Sequence, residues 1–228
     1  EADVDVVDVC LSSMSGLTSQ VNMNSLVAVM QGHEREQVFD LGSLNEYANY
    51  WEAIREYYYP FESGLKAGTA EVYEHEIPGG QYSNLRPQAI ALGLEHRFEQ
   101  IKKNYTSVNR MFGDIVKVTP SSKVVGDMAM FMTANGLDEK DVMAQGDTLA
   151  FPDSVIDLFS GKLGQMDGGF PGELSAMVLK GRKPLAGAPG AALEPVDFDA
   201  GFTTFKEEFD ENLSELDYLS YLMYPGVF

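Results

Sequence analysis

The sequence predicts a mainly α-helical chain that opens on one short strand. Three observations carry that prediction. Residues 4–10, VDVVDVC, form a valine-rich run with interspersed aspartates, the one stretch that reads as a strand. Beyond Gly32, apolar residues recur at helical spacing, and nothing reads as an array of strands. The breaks between those runs fall at Ser, Thr, Asp, Pro and Gly, which start and stop helices.

The elements follow in order. Val4–Cys10 is the expected strand, and standing alone it has edges that need pairing. Ser43-Leu44-Asn45-Glu46 reads as a capping box, with Leu44, Tyr47, Trp51, Ile54 and Tyr58 along one helical face. Pro60 and Gly64 close that helix, and Tyr57, Tyr58 and Tyr59 are expected to pack. Glu71–His75 is expected to be a short strand or extended segment, leading into a turn at Ile77-Pro78-Gly79-Gly80. Pro87 should start a helix that breaks near Gly93 and resumes through Phe98, Ile101, Tyr105 and Met111. Thr119–Asn135 follows, with Thr119 as its cap and Pro120 at its first position. Val124, Val125, Met128, Phe131 and Met132 face inward, and Gly136 is the stop. Met128, Met130 and Met132 read as core fillers rather than metal ligands. Asp138, Pro152 and Pro171 mark three short helices. Residues 181–200 read as a Pro/Gly/Ala-rich linker, and Ser214-Glu215-Leu216-Asp217 caps a last helix ending at Pro225.

Composition narrows the function classes. Of 228 residues, 44% are hydrophobic and 11% aromatic, as in a globular protein. Sixteen basic against 35 acidic residues leave a formal charge of −19, which argues against nucleic acid, whose binding rests on phosphate neutralisation. No apolar run approaches the ~20 residues that span a bilayer, so no membrane partner is expected. One cysteine, Cys10, rules out an intramolecular disulfide and fits a reducing compartment. The start on glutamate, almost directly on a strand, reads as that of a fragment.

Several patterns invite chemistry. Gly79-Gly80 suggests a phosphate loop, but no Gly-Lys-Ser/Thr follows. His33-Glu34-Arg35-Glu36 is half of a zinc-protease motif, and Glu74-His75-Glu76 alternates sides on extended chain. Neither predicts a metal site. More telling is IVKVTPSSKVVGD, residues 115–127. Here Lys123 falls in the first turn of a helix, where the macrodipole disfavours a cation. Hydroxyls and a cation at a helix start suggest an anionic ligand nearby.

Together with YEHEIPGGQYSNL (73–85) and DVVDVCLSSMSGLTSQ (5–20), that stretch resembles the carboxyltransferase region of the pyruvate carboxylase family. Weaker similarity runs on to the closing LSYLMYPGVF. Gln81 and Lys123 separate the chain from the related decarboxylase-pump subunits, which look like VPGGMLTN and VTPTSQIVG there.

The resemblance implies a helical funnel that follows the last strand and helix of an otherwise missing (β/α)8 barrel. Residues 1–32 would be the last β/α unit, with Asn24–Gln31 its helix; 33–180 the funnel; 181–200 the linker; and 201–228 a C-terminal helical segment. It implies carboxyl transfer from carboxybiotin to pyruvate, giving oxaloacetate. Thr119 would be the catalytic residue, relaying a proton from the pyruvate methyl group to the biotin ureido nitrogen. Ser122 and Lys123 match the biotin pocket, and Gln81 is a candidate for biotin or substrate binding. Ser15, Thr18 and Ser19 would line the reactive end of the barrel. Biotin would arrive on a separate carrier domain, and ATP would be used by a biotin-carboxylase domain. The divalent metal would be bound by residues outside this chain. A homotetramer is implied, cytoplasmic in bacteria and in the mitochondrial matrix in eukaryotes. The chain alone is then expected to be inactive. Two rivals stand beside this reading: a decarboxylase or transcarboxylase-type subunit, and a helical assembly module without chemistry. Thr119 as a plain N-cap also stays open.

Overall fold

The computed structural model describes residues 4–227, so the outermost residues of the first and last expected domains lie outside it. Contacts divide the chain into two compact units, 1–188 and 189–228.

The larger unit opens on β1 (Val9–Cys10), which pairs in parallel with β2 (Val21–Asn22). The expected strand over Val4–Cys10 is thus confined to its last two residues, and it does find a partner. Residues 4–8 join no ladder among the described residues, and the Val4 carbonyl accepts instead from the Arg35 side chain. Helix α1 (Met23–Met30) follows, capped by Asn22, whose side chain accepts from Ser25 N at 2.9 Å.

Helix α2 (Leu41–Arg55) starts earlier than the Ser43 box predicts. Asp40 takes the cap, accepting from Ser43 N (2.9 Å) and Ser43 Oγ (2.6 Å), so Ser43 is a first-turn residue. A 3-10 segment, Glu56–Phe61, carries the three tyrosines, which are 80%, 60% and 75% exposed. The expectation that they pack is not met, for no described element covers them.

Glu71–His75 is not extended. It forms α3 (Val72–His75), closed by Glu76 in the left-handed region at φ 58°. Helical spacing puts Glu71 and His75 on one side, where Glu71 reaches Lys102 at 2.7 Å and His75 is buried. Helix α4 (Gly79–Ala91) runs straight through Pro87, which was expected to begin it. Leu85 and Ala89, both fully buried on either side of the proline, hold the helix together by packing, against local preference.

Helices α5 (Phe98–Met111) and α6 (Ser121–Asn135) pack along each other and centre the core. Ile101, Tyr105 and Val108 on α5 meet Val124, Val125, Met128 and Met132 on α6 in one apolar cluster. Gly93 (φ 71°) breaks the chain before α5, and Gly136 (φ 67°) stops α6, both as expected. Met128, Met130 and Met132 are buried fillers. Helices α7 (Glu139–Gln145), α8 (Asp153–Phe159) and α9 (Gly172–Leu179) start after Asp138, Pro152 and Pro171, as the sequence predicts. Rings of Phe112, Phe159 and Phe170 seal this end, with Phe159 stacked on Phe170 at 4.1 Å.

The smaller unit holds a 3-10 turn at 189–192, α10 (Phe198–Glu208) and α11 (Glu215–Met223). Ser214 and Asp217 form the expected capping box on α11. The Tyr218 ring packs on Phe205 at 5.3 Å. Among the described residues no helix is long and apolar enough to cross a membrane.

Candidate functional site

The first turns of α4 are met by two other segments: the loop after β1 packs on Gly79 and Ser83, and α6 approaches Gln81 at Gly126. Thr18 of the loop joins its hydroxyl to that of Ser83 on α4 at 2.6 Å. Gly79 is required there for space. A Cβ on it would sit 2.3 Å from the Thr18 carbonyl oxygen, well inside contact distance. The paired glycines therefore begin a helix against a neighbouring backbone and do not form the expected turn. A cavity of about 250 Å³ lies beside this seam, lined by Leu17, Thr18, Gly79, His75 and Tyr82 among others.

His75 anchors that wall. Its Nδ1 accepts from Ile77 N at 2.9 Å, and its ring stacks on Tyr82 with centroids 5.2 Å apart. Burial lowers its pKa below the ordinary histidine range, and the nearby Lys102 charge adds to that. The ring is therefore a neutral wall element near pH 7, with Nδ1 committed to the backbone.

Gln81 lies in the first turn of α4, and its amide nitrogen rests against Gly126 of α6. A Cβ on Gly126 would fall 2.7 Å from that nitrogen. The nitrogen is buried and has no hydrogen-bond partner among the described residues. Lys117 ties the two segments again. It pairs with Glu76 at 3.0 Å just before α4, and an Asn109 amide turned to suit accepts from it at 2.9 Å.

At the start of α6 the expected cap is absent. Thr119 is exposed, its peptide bond to Pro120 is cis, and Pro120 rather than Thr119 holds the cap position. Of the amides that a Thr119 cap would serve, those of Ser121 and Ser122, the second is taken elsewhere. Ser122 N donates to Val118 O at 3.2 Å, and Lys123 N donates to Pro120 O at 3.1 Å. The Thr119 hydroxyl has no hydrogen-bond partner among the described residues.

Ser122 is 6% exposed; its carbonyl accepts from Tyr105 Oη at 3.2 Å, while its hydroxyl has no partner among the described residues. Lys123 is exposed and pairs with Asp127 one turn on at 2.7 Å. Asp127 is in turn held by Ser154 Oγ at 2.7 Å. That pair offsets the clash between Lys123 and the macrodipole without any outside anion. Ser122, Lys123 and Thr119 thus share one helix start, and Gln81 reaches the same helix at Gly126, just over a turn beyond Ser122. Ser15 is not drawn in, since its hydroxyl donates to Ser12 O at 2.8 Å. Ser19 lines the cavity with Thr18, its hydroxyl bonded within its own loop.

Residues 72–228 match the family model described as the conserved carboxylase domain. The chain belongs to that family. It is 50% identical to the pyruvate carboxylase of Bacillus subtilis (strain 168), across all of this chain and 20% of that protein. It is 44% identical to the mitochondrial pyruvate carboxylase of Homo sapiens, again across the whole chain and 20% of the relative. Among solved structures, the carboxyl transferase domain of Rhizobium etli pyruvate carboxylase with pyruvate superposes at a TM-score of 0.92. The identity there is 45%, covering 99% of this chain and 38% of that one. The same domain with oxamate and biotin gives 0.92 and 45%, covering 98% and 38%. The chain thus spans about a fifth of the length of the curated relatives it matches.

Sequence reasoning missed Ser83, His75, Gly126 and Ser121 as parts of this arrangement. Gly126 carried a signal, being a glycine on the inward side of a helix, which marks a close approach. The hydroxyl contacts of Ser83 and Ser121 left none.

Proposed function

We propose that this chain is the C-terminal part of a carboxyltransferase domain of a pyruvate carboxylase. In the longer protein it would serve the transfer of a carboxyl group to pyruvate, giving oxaloacetate. The observation that carries this reading is the uncommitted Thr119 hydroxyl at the head of α6, the helix that Gln81 meets at Gly126. A plain cap would be spent on the helix; this hydroxyl is not. Solved relatives described with pyruvate, and with oxamate and biotin, support the same reading.

The donor set fits biotin. An orphaned buried amide nitrogen on Gln81 and free hydroxyls on Thr119 and Ser122 match a ureido carbonyl and carboxylate oxygens. Biotin, when carboxylated on its carrier domain, supplies the carboxyl group. The work of this chain is to hold and move a proton. Thr119 Oγ1 would accept a proton from the pyruvate methyl carbon while giving up its own on the side where biotin would be held, so the hydroxyl would end unchanged. The pyruvate enolate would bond to the carbon dioxide freed as the N–C bond of the carboxylated biotin breaks. A hydroxyl is a poor acid and base in water, so this exchange needs a closed, dry site. Gln81, Ser122 and Lys123 would orient the ring and the carboxylate.

The rest of the proposal concerns the whole protein. The division at 1–32, 33–180, 181–200 and 201–228 belongs to it. So do the ATP-using and carrier domains, a homotetramer, and a divalent metal held by residues outside this chain. Among the described residues no three His, Cys, Asp or Glu side chains gather as a metal site. The location would be the cytoplasm in a bacterium and the mitochondrial matrix in a eukaryote. The 228 residues alone are expected not to turn over pyruvate.

Mutation of Thr119 in the full-length enzyme tests the assignment. Because its hydroxyl bonds to nothing among the described residues, Thr119→Ala should leave thermal stability unchanged. It should lower carboxyl transfer by at least ~100-fold, the low end of general acid–base contributions, while Thr119→Ser keeps most of the rate. Near-normal turnover by Thr119→Ala would remove Thr119 from catalysis.

A further inference from the structure

The side chain that holds Thr119 in place is its second neighbour, Ser121. Ser121 is 1% exposed, and its hydroxyl sits among three backbone groups of the preceding arm. It accepts from Val118 N at 3.1 Å and lies 2.7 Å from both the Val116 and Val118 carbonyl oxygens, to one of which it donates. One buried hydroxyl therefore fastens residues 116–118 back onto the first turn of α6. From the other side, the Tyr105 hydroxyl on α5 fixes the Ser122 carbonyl at 3.2 Å. Tyr105 is fully buried. Thr119 and Pro120 are the only residues between the fastened arm and the fastened turn, and both are exposed. The chain is pinned on either side of a hydroxyl that has no partner among the described residues.

We infer that Ser121 is a positioning residue for Thr119, setting where its hydroxyl stands through the bonds to Val116 and Val118. This rests on the reading of Thr119 as the proton relay. Ser121 touches neither substrate nor biotin in this account. It acts by confining the backbone, and displacement of a reacting group by about 1 Å can cost on the order of 100-fold in rate. A serine suits the task because a single hydroxyl both accepts and donates, as this arm requires.

The experiment uses the full-length enzyme with four variants: Ser121→Ala, Ser121→Cys, Thr119→Ala and the double Ser121→Ala/Thr119→Ala. Ser121→Ala should lower kcat for carboxyl transfer by at least ~10-fold, within the range for a misplaced group, with KM for pyruvate unchanged. Hydrogen–deuterium exchange over residues 116–122 should rise at least tenfold, because the Val118 amide loses its acceptor. Ser121→Cys, close in volume and a weaker hydrogen-bonding group, should fall between Ser121→Ala and wild type, and it serves if Ser121→Ala does not fold. The double variant decides whether the loss passes through Thr119. It should be no slower than Thr119→Ala alone, since groups acting as a unit are not additive. A further loss in the double variant would make Ser121 a general stability residue and overturn the inference. So would unchanged kcat in Ser121→Ala alongside faster exchange. If Thr119→Ala itself keeps its rate, the relay fails, and the role given to Ser121 falls with it. If Thr119→Ala loses activity and Ser121→Ala does not, only the present inference fails.

Discussion

Helices α5 and α6 and the N-terminal stretch 4–39 draw on the same kind of apolar side chain and treat it in opposite ways. On α6, Val124 and Val125 are 1% and 0% exposed, whereas Val6 and Val38 are 82% and 101% exposed. The difference lies in partners. Each of the two helices offers the other a long complementary face within a short span of chain, so valines there are removed from water. The stretch 4–39 has two strands of two residues and one helix, too little surface to cover its own apolar side chains. Hydrophobic pattern states where a side chain is suited to go; stabilisation comes only when something is there to receive it. The candidate site sits on the boundary between the two regimes. Its rigid half is α4 and α6, and its other half is the loop after β1, held by the Thr18–Ser83 contact.

Breaking the self-sufficient region should cost most. Phe112 is fully buried against Phe159 at 5.0 Å. Phe112→Ala is expected to destabilise the chain by ~3–5 kcal/mol, the usual cost of emptying an aromatic core position, measured by chemical denaturation. A loss below ~1 kcal/mol, within the range of a typical surface change, would mean that the aromatic cluster at the end of α5 does not anchor the fold.

A middle-sized effect is expected at the join between α4 and α6. Gly126→Ala adds a Cβ that meets Leu85 Cδ1 at 3.1 Å and the Gln81 amide at 2.7 Å. Helix propensity favours alanine by up to ~1 kcal/mol, but overpacking costs about 1–3 kcal/mol, so a modest net destabilisation is expected. In the full-length enzyme the same change should displace Gln81 and weaken carboxyl transfer. Full activity with a displaced Gln81 would take that side chain out of the site.

Protonation sharpens the comparison from another side. The unfolded chain protonates His75 near its ordinary value of 6.5, whereas the folded chain resists until lower pH. Below about 6.5 the unfolded state therefore binds more protons, and stability falls as pH falls; above it the effect is absent. A His75→Phe variant, which keeps the stack on Tyr82, should show a shallower loss of stability between pH 6.5 and 5.5. An identical slope would show that His75 is not the group responsible.

The smallest effect belongs to the uncovered stretch. Val6→Ser and Val38→Ser in the 228-residue chain should change stability by no more than ~0.5 kcal/mol, as for surface positions without partners. Thermal melts that move by several degrees would show these valines to be packed after all.

Much of this architecture was legible in the chain. The α6 face, the Gly136 stop and the starts at Asp138, Pro152, Pro171 and Ser214 were readable because each rests on chemistry within one turn of helix. Pro87 and Glu71–His75 were misread because burial of Leu85, Ala89 and His75 against distant helices overrides local preference. Ser43 lost the cap to Asp40, an equally good capping residue standing one turn earlier. For the site, the motifs marked Thr119, Ser122, Lys123 and Gln81. They did not reveal that Asp127 already answers Lys123, nor that Thr119 is released from capping.

The sequence by itself determined the helical class, most helix starts and stops, the inward face of α6 and the family, because local periodicity, capping and short motifs are written along the chain. Only the tertiary structure decided that Gly79 yields to the Thr18 carbonyl, that Gln81 lies against Gly126, and that Ser121 rather than Thr119 takes up the backbone groups at the head of α6. Those are contacts between segments, or bonds from a side chain back to the arm that precedes its helix. Such contacts are settled by which groups three-dimensional packing brings within hydrogen-bond reach.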